Sequence, residues 1–396
     1  MKKSTCAAVF VHGFMGFGEQ DGIYKYVPYW GWLGKNTDAM THLREKGYEV
    51  YAPSVGPVNS AWDRAVDTYY QIVGGTVDYG KVHSEKYGHK RFGRTYPGLI
   101  PDLGQPGAHE KIDLIGHSFG APTVRVLAEL LTNGCQEEIE GTPAEELSEL
   151  YKGGHHCIRS VTTLAGVNNG TTLTSFLRER GVLAINDLYL GVNTMFGNSI
   201  FADKLIDFHM DQWGVNDDPA AREKTKIRSP FARWKNIQRF DENVRDSVGF
   251  EMQIEGMYDM NQSIHCAPDI YYFAHPSGNS HSTSCDIEVM NRDASILAKV
   301  VGLITGSYHN TTLQRYGYSR PAWDSQDGFV NTECAKAPYN EPQADYAEGV
   351  ELEPGKWYNM PVERLSHVSY MGMDMKKGPF FEYYDNLMEF LEKLPG

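Results

Sequence analysis

At 396 residues the chain can bury a large core, as one enlarged α/β domain or two ordinary ones, and its stability does not require staples. A formal charge of −14 repels phosphates and anionic headgroups, which argues against nucleic acid and polybasic membrane docking and favours neutral substrates. No apolar run approaches the roughly 20 residues that span a bilayer, and six scattered cysteines with no C-x-x-C pair read as free thiols, with room for one disulfide.

In chain order, Met1-Lys2-Lys3 is like the start of a secretory leader. The apolar stretch from Cys6 runs straight into His12-Gly13-Phe14 without a cleavage site, so it reads as a strand, in a protein that is cytoplasmic or has had its leader left off. Residues 7–11, 49–55, 112–115, 158–165 and 270–274 are short β-branched or aromatic runs bounded by turn residues, as expected of buried strands. Helical patterns lie between several of them, at 38–46 and at 122–131, where Leu127 and Leu131 recur at helix spacing. Strands alternating with helices predict an α/β fold with a mostly parallel sheet covered on both faces. Residues 173–211 carry more apolar side chains than a crossover needs, punctuated by Gly181, Gly191 and Gly197. This pattern fits short hinged helices over a pocket or an ordinary core helix pair.

The most informative stretch is Lys111-Ile-Asp-Leu-Ile-Gly-His-Ser-Phe-Gly-Ala121, a buried strand running into G-x-S-x-G and then a helix. Ser118 at the turn must take a strained backbone conformation, and Gly116 and Gly120 leave room where strand and helix cross. Such a serine is a nucleophile only with a histidine base and a carboxylate to hold the histidine's tautomer. In the α/β-hydrolase order the acid and then the histidine follow the serine. His367 is the only histidine downstream of the best acid, Asp327, which sits in a turn beside Gly328, with Asp324 as the alternative. The oxyanion needs two preset N–H groups, expected from Phe119 after the nucleophile and from Phe14 in the His-Gly-Phe that ends the first strand.

These residues and longer runs resemble the zinc-containing thermostable bacterial lipases, relatives of the staphylococcal lipases. The resemblance covers most of the chain, in Val73-Gly-Gly-Thr-Val-Asp-Tyr-Gly80, Arg91-Phe-Gly-Arg-Thr-Tyr-Pro-Gly-Leu99, Gly153-Gly-His-His156, Asp211-Gln-Trp-Gly214 and Asp327-Gly-Phe-Val-Asn-Thr332. It implies an α/β-hydrolase fold over 1–396, a helical lid at 171–228 and a zinc-binding insertion at 60–100 and 229–262. It also implies Ser118, Asp327 and His367 as the triad and Phe14 with Phe119 as the oxyanion pair. For the structural zinc it implies Asp63, His83, His89 and a fourth carboxylate. Counting back from Gly256 and Asn261 lands on Glu251, with Asp246 as the alternative. Without the resemblance, His83 and His89 would read as solvated loop histidines. The family's calcium site keeps Asp374 but has Ser369 where a glutamate belongs, so calcium is not predicted. Phe119 departs from the family's usual glutamine and makes the pocket wall more apolar.

The expected function is therefore hydrolysis of acylglycerols and other apolar esters at a lipid or polymer interface, by a lipase that is secreted by resemblance. A short-chain carboxylesterase or polyester hydrolase is the alternative within the same chemistry. A non-catalytic lipid-binding member, an acyltransferase and a peptidase remain as alternatives outside it.

Overall fold

A computed structural model describes residues 6–31, 37–179, 207–214, 245–285, 287–307, 316 and 323–395. Its strands in chain order are β1 (Ala7–Val11), β2 (Val50–Tyr51), β3 (Gly75–Asp78), β4 (Phe92–Tyr96), β5 (Ile112–His117), β6 (Ile158–Leu164), β7 (Tyr271–His275), β8 (Ser280–Ser282), β9 (Glu288–Met290), β10 (Gln343–Asp345) and β11 (Trp357–Asn359). Seven of them form one sheet in the order β10-β11-β7-β6-β5-β1-β2, parallel at every pairing. The pairs β3–β4 and β8–β9 are separate antiparallel ribbons.

A parallel sheet must be covered on both faces, and alternation along each strand assigns its side chains to one cover or the other. Val9 and Val11 of β1 join Leu114 of β5 in a core closed by Val66 of helix Ala61–Val73 and Leu127 of helix Gly120–Asn133. Ala8, Phe10 and Ile115 point the other way, into a core closed by Met40 and Leu43 of helix Ala39–Glu45 and by Tyr384 and Leu387 of helix Lys377–Leu391. Helix Ala39–Glu45 starts where the sequence predicts, because the Asp38 carboxylate accepts the Met40 and Thr41 N–H groups.

The expected strand at 49–55 shrinks to Val50–Tyr51. Pro53 has no N–H to give a ladder, and the Ala52 N–H is taken by the Glu19 carboxylate. Strands β10 and β11 are not evident in the sequence, being three residues each, and β10, at the sheet edge, exposes Gln343 and Asp345. None of the six cysteines is joined in a disulfide. Of the segment expected to form a lid, only 171–179 and 207–214 are described, and the rest of 171–228 lies outside the described residues. Thr172–Glu179 is a helix. Phe208, Met210 and Trp213 are buried in the core, and Arg94 grips the Asp207 and Asp211 carboxylates together. Among the described residues, no helix is long and apolar enough to cross a membrane.

Candidate functional site

β1 and β5 pair in register up to Val11 and Gly116, so the residues that follow each strand emerge side by side at the same sheet edge. A side chain at Gly120 would strike the Val11 carbonyl at 2.2 Å, and one at Gly116 the Gly120 carbonyl at 2.3 Å. Only glycine permits the helix to leave the strand at that distance. Between them Ser118 has φ 56, a left-handed conformation costly for a residue with a Cβ. Neighbouring main chain holds it there: Ser118 N–H donates to Leu164 O at 3.0 Å, and Ser118 O accepts the Ala121 and Val167 N–H groups.

Asp327 and His367, 209 and 249 positions after Ser118 in the chain, are brought to this turn by the segments that follow β7.

 Ser118 itself lies 249 positions before His367 in the chain, yet His367 Nε2 is 2.8 Å from Ser118 Oγ. His367 Nδ1 is 2.9 Å from Asp327 Oδ2. The Asp327 carboxylate is fully buried and its four contacts are all donors: His367 Nδ1–H and Ser277 Oγ–H on Oδ2, and the Phe329 and Val330 N–H groups on Oδ1. The His367 main chain is tied to the same residue, its N–H donating to Asp327 O at 2.9 Å, while the Phe329 ring stacks on the imidazole at 5.1 Å. Asp327 is thus the carboxylate that the fold brings to His367. Ser277 has no sequence signal, because it approaches from β7 through space.

Phe14 and Phe119 flank the serine, and neither backbone N–H donates to an acceptor among the described residues. The buried Arg64 guanidinium braces both neighbours. It donates to His12 O and Gly56 O and lies 5.4 Å from the centre of the Phe119 ring. A carboxylate, an imidazole and a hydroxyl in one row, beside two uncommitted N–H groups, can draw a proton from Ser118 and receive a developing negative oxygen.

A second cluster lies on helix Ala61–Val73 and the segments beside it. Asp63, His83, His89 and Asp246 each offer one ligand atom, all within 4.8 Å of one another. His83 Nε2 is 3.4 Å from Asp63 Oδ1 and 3.5 Å from Asp246 Oδ1, and His89 Nε2 is 3.9 Å and 3.6 Å from the same two side chains. A tetrahedral ion with bonds of about 2.0–2.2 Å holds its ligands about 3.3–3.5 Å apart, close to this spread. Asp63 Oδ1, His83 Nε2, His89 Nε2 and Asp246 Oδ2 are buried without a hydrogen-bond partner among the described residues, as metal-facing atoms would be. His89 Nδ1–H donates to Lys90 O, leaving the Nε2 lone pair aimed into the cluster, and Gln212 occupies the other oxygen of Asp63. Burial opposes a charge on His83, yet Asp246 and Asp63 push it up to about 10, a measure of how strongly the pair attracts a cation.

Glu251, expected as the fourth ligand, is replaced by Asp246. The Glu251 carboxylate accepts the Ala61 N–H at 2.6 Å, at the N-terminus of the helix that carries Asp63, and burial raises its pKa well above the usual carboxylate range. The residues around Asp374 do not fit calcium. Its oxygens accept Ser369 Oγ–H at 2.6 Å, Ser366 Oγ–H and Ser295 N–H, so the carboxylate is satisfied within the chain, beside a capping box that starts the turn His367–Met371.

Residues 4–394 match the family model described as lipase-like, C-terminal domain. A lipase from Staphylococcus epidermidis is 31% identical over 379 residues, covering 94% of this chain and 51% of the relative, so the chain spans about half the length of the curated relatives it matches. The solved lipase of Staphylococcus hyicus superposes with a TM-score of 0.82 at 30% identity, covering 98% of this chain and 96% of that one. Lipase 1 from Pelosinus fermentans superposes with a TM-score of 0.77 at 31% identity, over 99% and 100% of the two chains.

Proposed function

This chain belongs to the lipase-like, C-terminal domain family, and on that premise we propose that it hydrolyses carboxylic esters, acylglycerols among them, through an acyl-enzyme on Ser118. The observation that carries the reading is the continuous row Ser118 Oγ, His367 Nε2, His367 Nδ1, Asp327 Oδ2. His367 takes the Ser118 proton as Oγ attacks the ester carbonyl, and the Phe14 and Phe119 N–H groups stabilise the oxyanion. His367 then gives that proton to the leaving alkoxide, and water, deprotonated by the same imidazole, releases the acid. Each N–H group is worth roughly 2.7–4 kcal/mol of transition-state stabilisation. Apolar esters suit the half-buried Phe14 side chain, whereas the Phe119 side chain, expected to make the pocket wall more apolar, is fully buried in the core against Arg64. A long-chain preference together with activation at an oil–water interface distinguishes a lipase from a short-chain esterase. The expected result is hydrolysis of emulsified triacylglycerol, blocked by an organophosphonate that labels Ser118 stoichiometrically. Labelling elsewhere, or full turnover after Ser118 is labelled, would refute the assignment.

Zinc is the ion proposed for Asp63, His83, His89 and Asp246, because two neutral imidazoles and two carboxylates balance its charge in a closed site. When bound it supplies cross-linking rather than chemistry, since all four protein ligands leave no open position. These residues then join the 60–100 insertion to the stretch that holds Asp246. Purified protein is expected to contain one equivalent of zinc by elemental analysis. Stripping an ion held at 1,000 times its Kd removes about 4 kcal/mol, which for a chain of this length corresponds to a Tm loss on the order of 5 °C. No zinc, or a Tm indifferent to its removal, would count against the site.

A further inference from the structure

Directly before the serine stands a buried imidazole for which the mechanism has no use. His117 is 1% exposed, and its ring centre lies 4.8 Å from that of His367. Its Nε2 is 3.1 Å from the His367 carbonyl oxygen, and its Nδ1 is 2.7 Å from the Tyr29 hydroxyl. That hydroxyl, 2% exposed, also accepts the Gly13 N–H at 2.9 Å.

The protons in this row are determined by chemistry. A carbonyl oxygen only accepts, so His117 Nε2 must carry the hydrogen that faces His367 O. Burial and the neighbouring His367 hold His117 well below the ordinary histidine range, so the ring is neutral and Nδ1 is bare. The Tyr29 oxygen already accepts from Gly13 and gives its own hydrogen to Nδ1. All donors therefore run one way, from Gly13 N–H through Tyr29 and His117 to the His367 carbonyl. With His367 N–H on Asp327 O, the main chain of His367 is held on both sides.

We propose that Tyr29 and His117 are positioning residues for the reaction at Ser118, a fixed-direction relay that locks the backbone leading to the Phe14 N–H onto the backbone carrying the His367 imidazole. The relay rests on the ester-hydrolase reading above. One end sets an oxyanion donor, because Gly13 immediately precedes Phe14, and the other sets the base. Both are needed more in the transition state than in the substrate complex. The single-proton form also matters, since a cationic ring 4.8 Å away would repel the imidazolium that forms on His367.

The test uses the whole chain with a soluble chromogenic ester, a trifluoromethyl ketone as mimic of the tetrahedral adduct, and a melting curve for every variant. Tyr29→Phe deletes both inner bonds and is expected to lower kcat about tenfold, to weaken the ketone by the same factor, and to leave KM within twofold. His117→Gln can still donate towards His367 O, and His117→Asn retains only an acceptor for Tyr29, so Gln is expected to keep several-fold more kcat than Asn. A folded Tyr29→Phe with kcat within twofold of the parent, or a loss lying wholly in KM, would overturn the relay. If Tyr29→Phe does not fold, the Gln and Asn pair decides, and equal kcat in the two overturns it. A parent inert towards esters removes both this inference and the reading beneath it, whereas an active parent beside an unimpaired Tyr29→Phe removes the relay alone.

Discussion

Ser118→Ala is expected to lower kcat for a soluble ester by about 10⁶-fold while the melting temperature stays near that of the parent. The separation of the two effects follows from how the turn is held. The Ser118 backbone is fixed by its own N–H on Leu164 O and by the Ala121 and Val167 N–H groups on its carbonyl, none of which involves the hydroxyl. The positive φ is imposed by the crossing of β5 and the following helix, and alanine inherits it without a new clash. What disappears is the one oxygen that His367 Nε2 faces at 2.8 Å. The Phe14 and Phe119 N–H groups stay in place, so a residual acceleration of about 10³–10⁴ over water is expected. Steady-state turnover with active-site titration of the parent measures the ratio. A variant that retains more than about a tenth of parental kcat would dismiss Ser118 as the nucleophile.

Asp327→Asn is the second large effect, a loss of about 10⁴ in kcat with little change in fold. The orientation of the new amide is dictated by its surroundings. Oδ1 receives the Phe329 and Val330 N–H groups and must remain an oxygen, so the NH₂ takes the place of Oδ2, opposite His367 Nδ1. A donor there forces Nδ1 to accept, which moves the imidazole hydrogen to Nε2, where it faces Ser118 and can no longer take a proton. Ser277 Oγ, which donates to the carboxylate, can turn to accept from the amide, so the site stays satisfied and the protein stays folded. The loss should shrink at high pH, where solvent hydroxide can deprotonate the serine. A pH–rate profile of the variant checks this, and a kcat within tenfold of the parent at neutral pH would rule out the carboxylate as the orienting group.

Several parts of the site were legible in the sequence because they are local. Gly116, Ser118 and Gly120 announce a strained turn by spacing alone, since the need for missing side chains arises from backbone only a few residues away. Asp327 and His367 follow from chain order and from the scarcity of downstream histidines. The buried strands β1, β5, β6 and β7 show as apolar runs because both faces of a parallel sheet are covered, whereas β11, though buried, is too short to leave such a trace and β10 at the sheet edge is both short and polar.

The choice between Glu251 and Asp246 lay beyond the sequence. Both are carboxylates within six positions of each other, and spacing favoured Glu251, which stands outside the cluster; the N-terminus of helix Ala61–Val73 claims Glu251 through Ala61 N–H, and Asp246 is the one that faces the two imidazoles. Ser277 on Asp327 and Tyr29 between Gly13 and His117 are likewise contacts across strands and loops that no local pattern encodes. Sequence by itself determined which chemistry the chain can carry, because nucleophile geometry and strand burial are written in neighbouring residues. Tertiary packing decided which polar groups meet, because a buried donor or acceptor must find its partner wherever the folded chain brings one within about 3 Å.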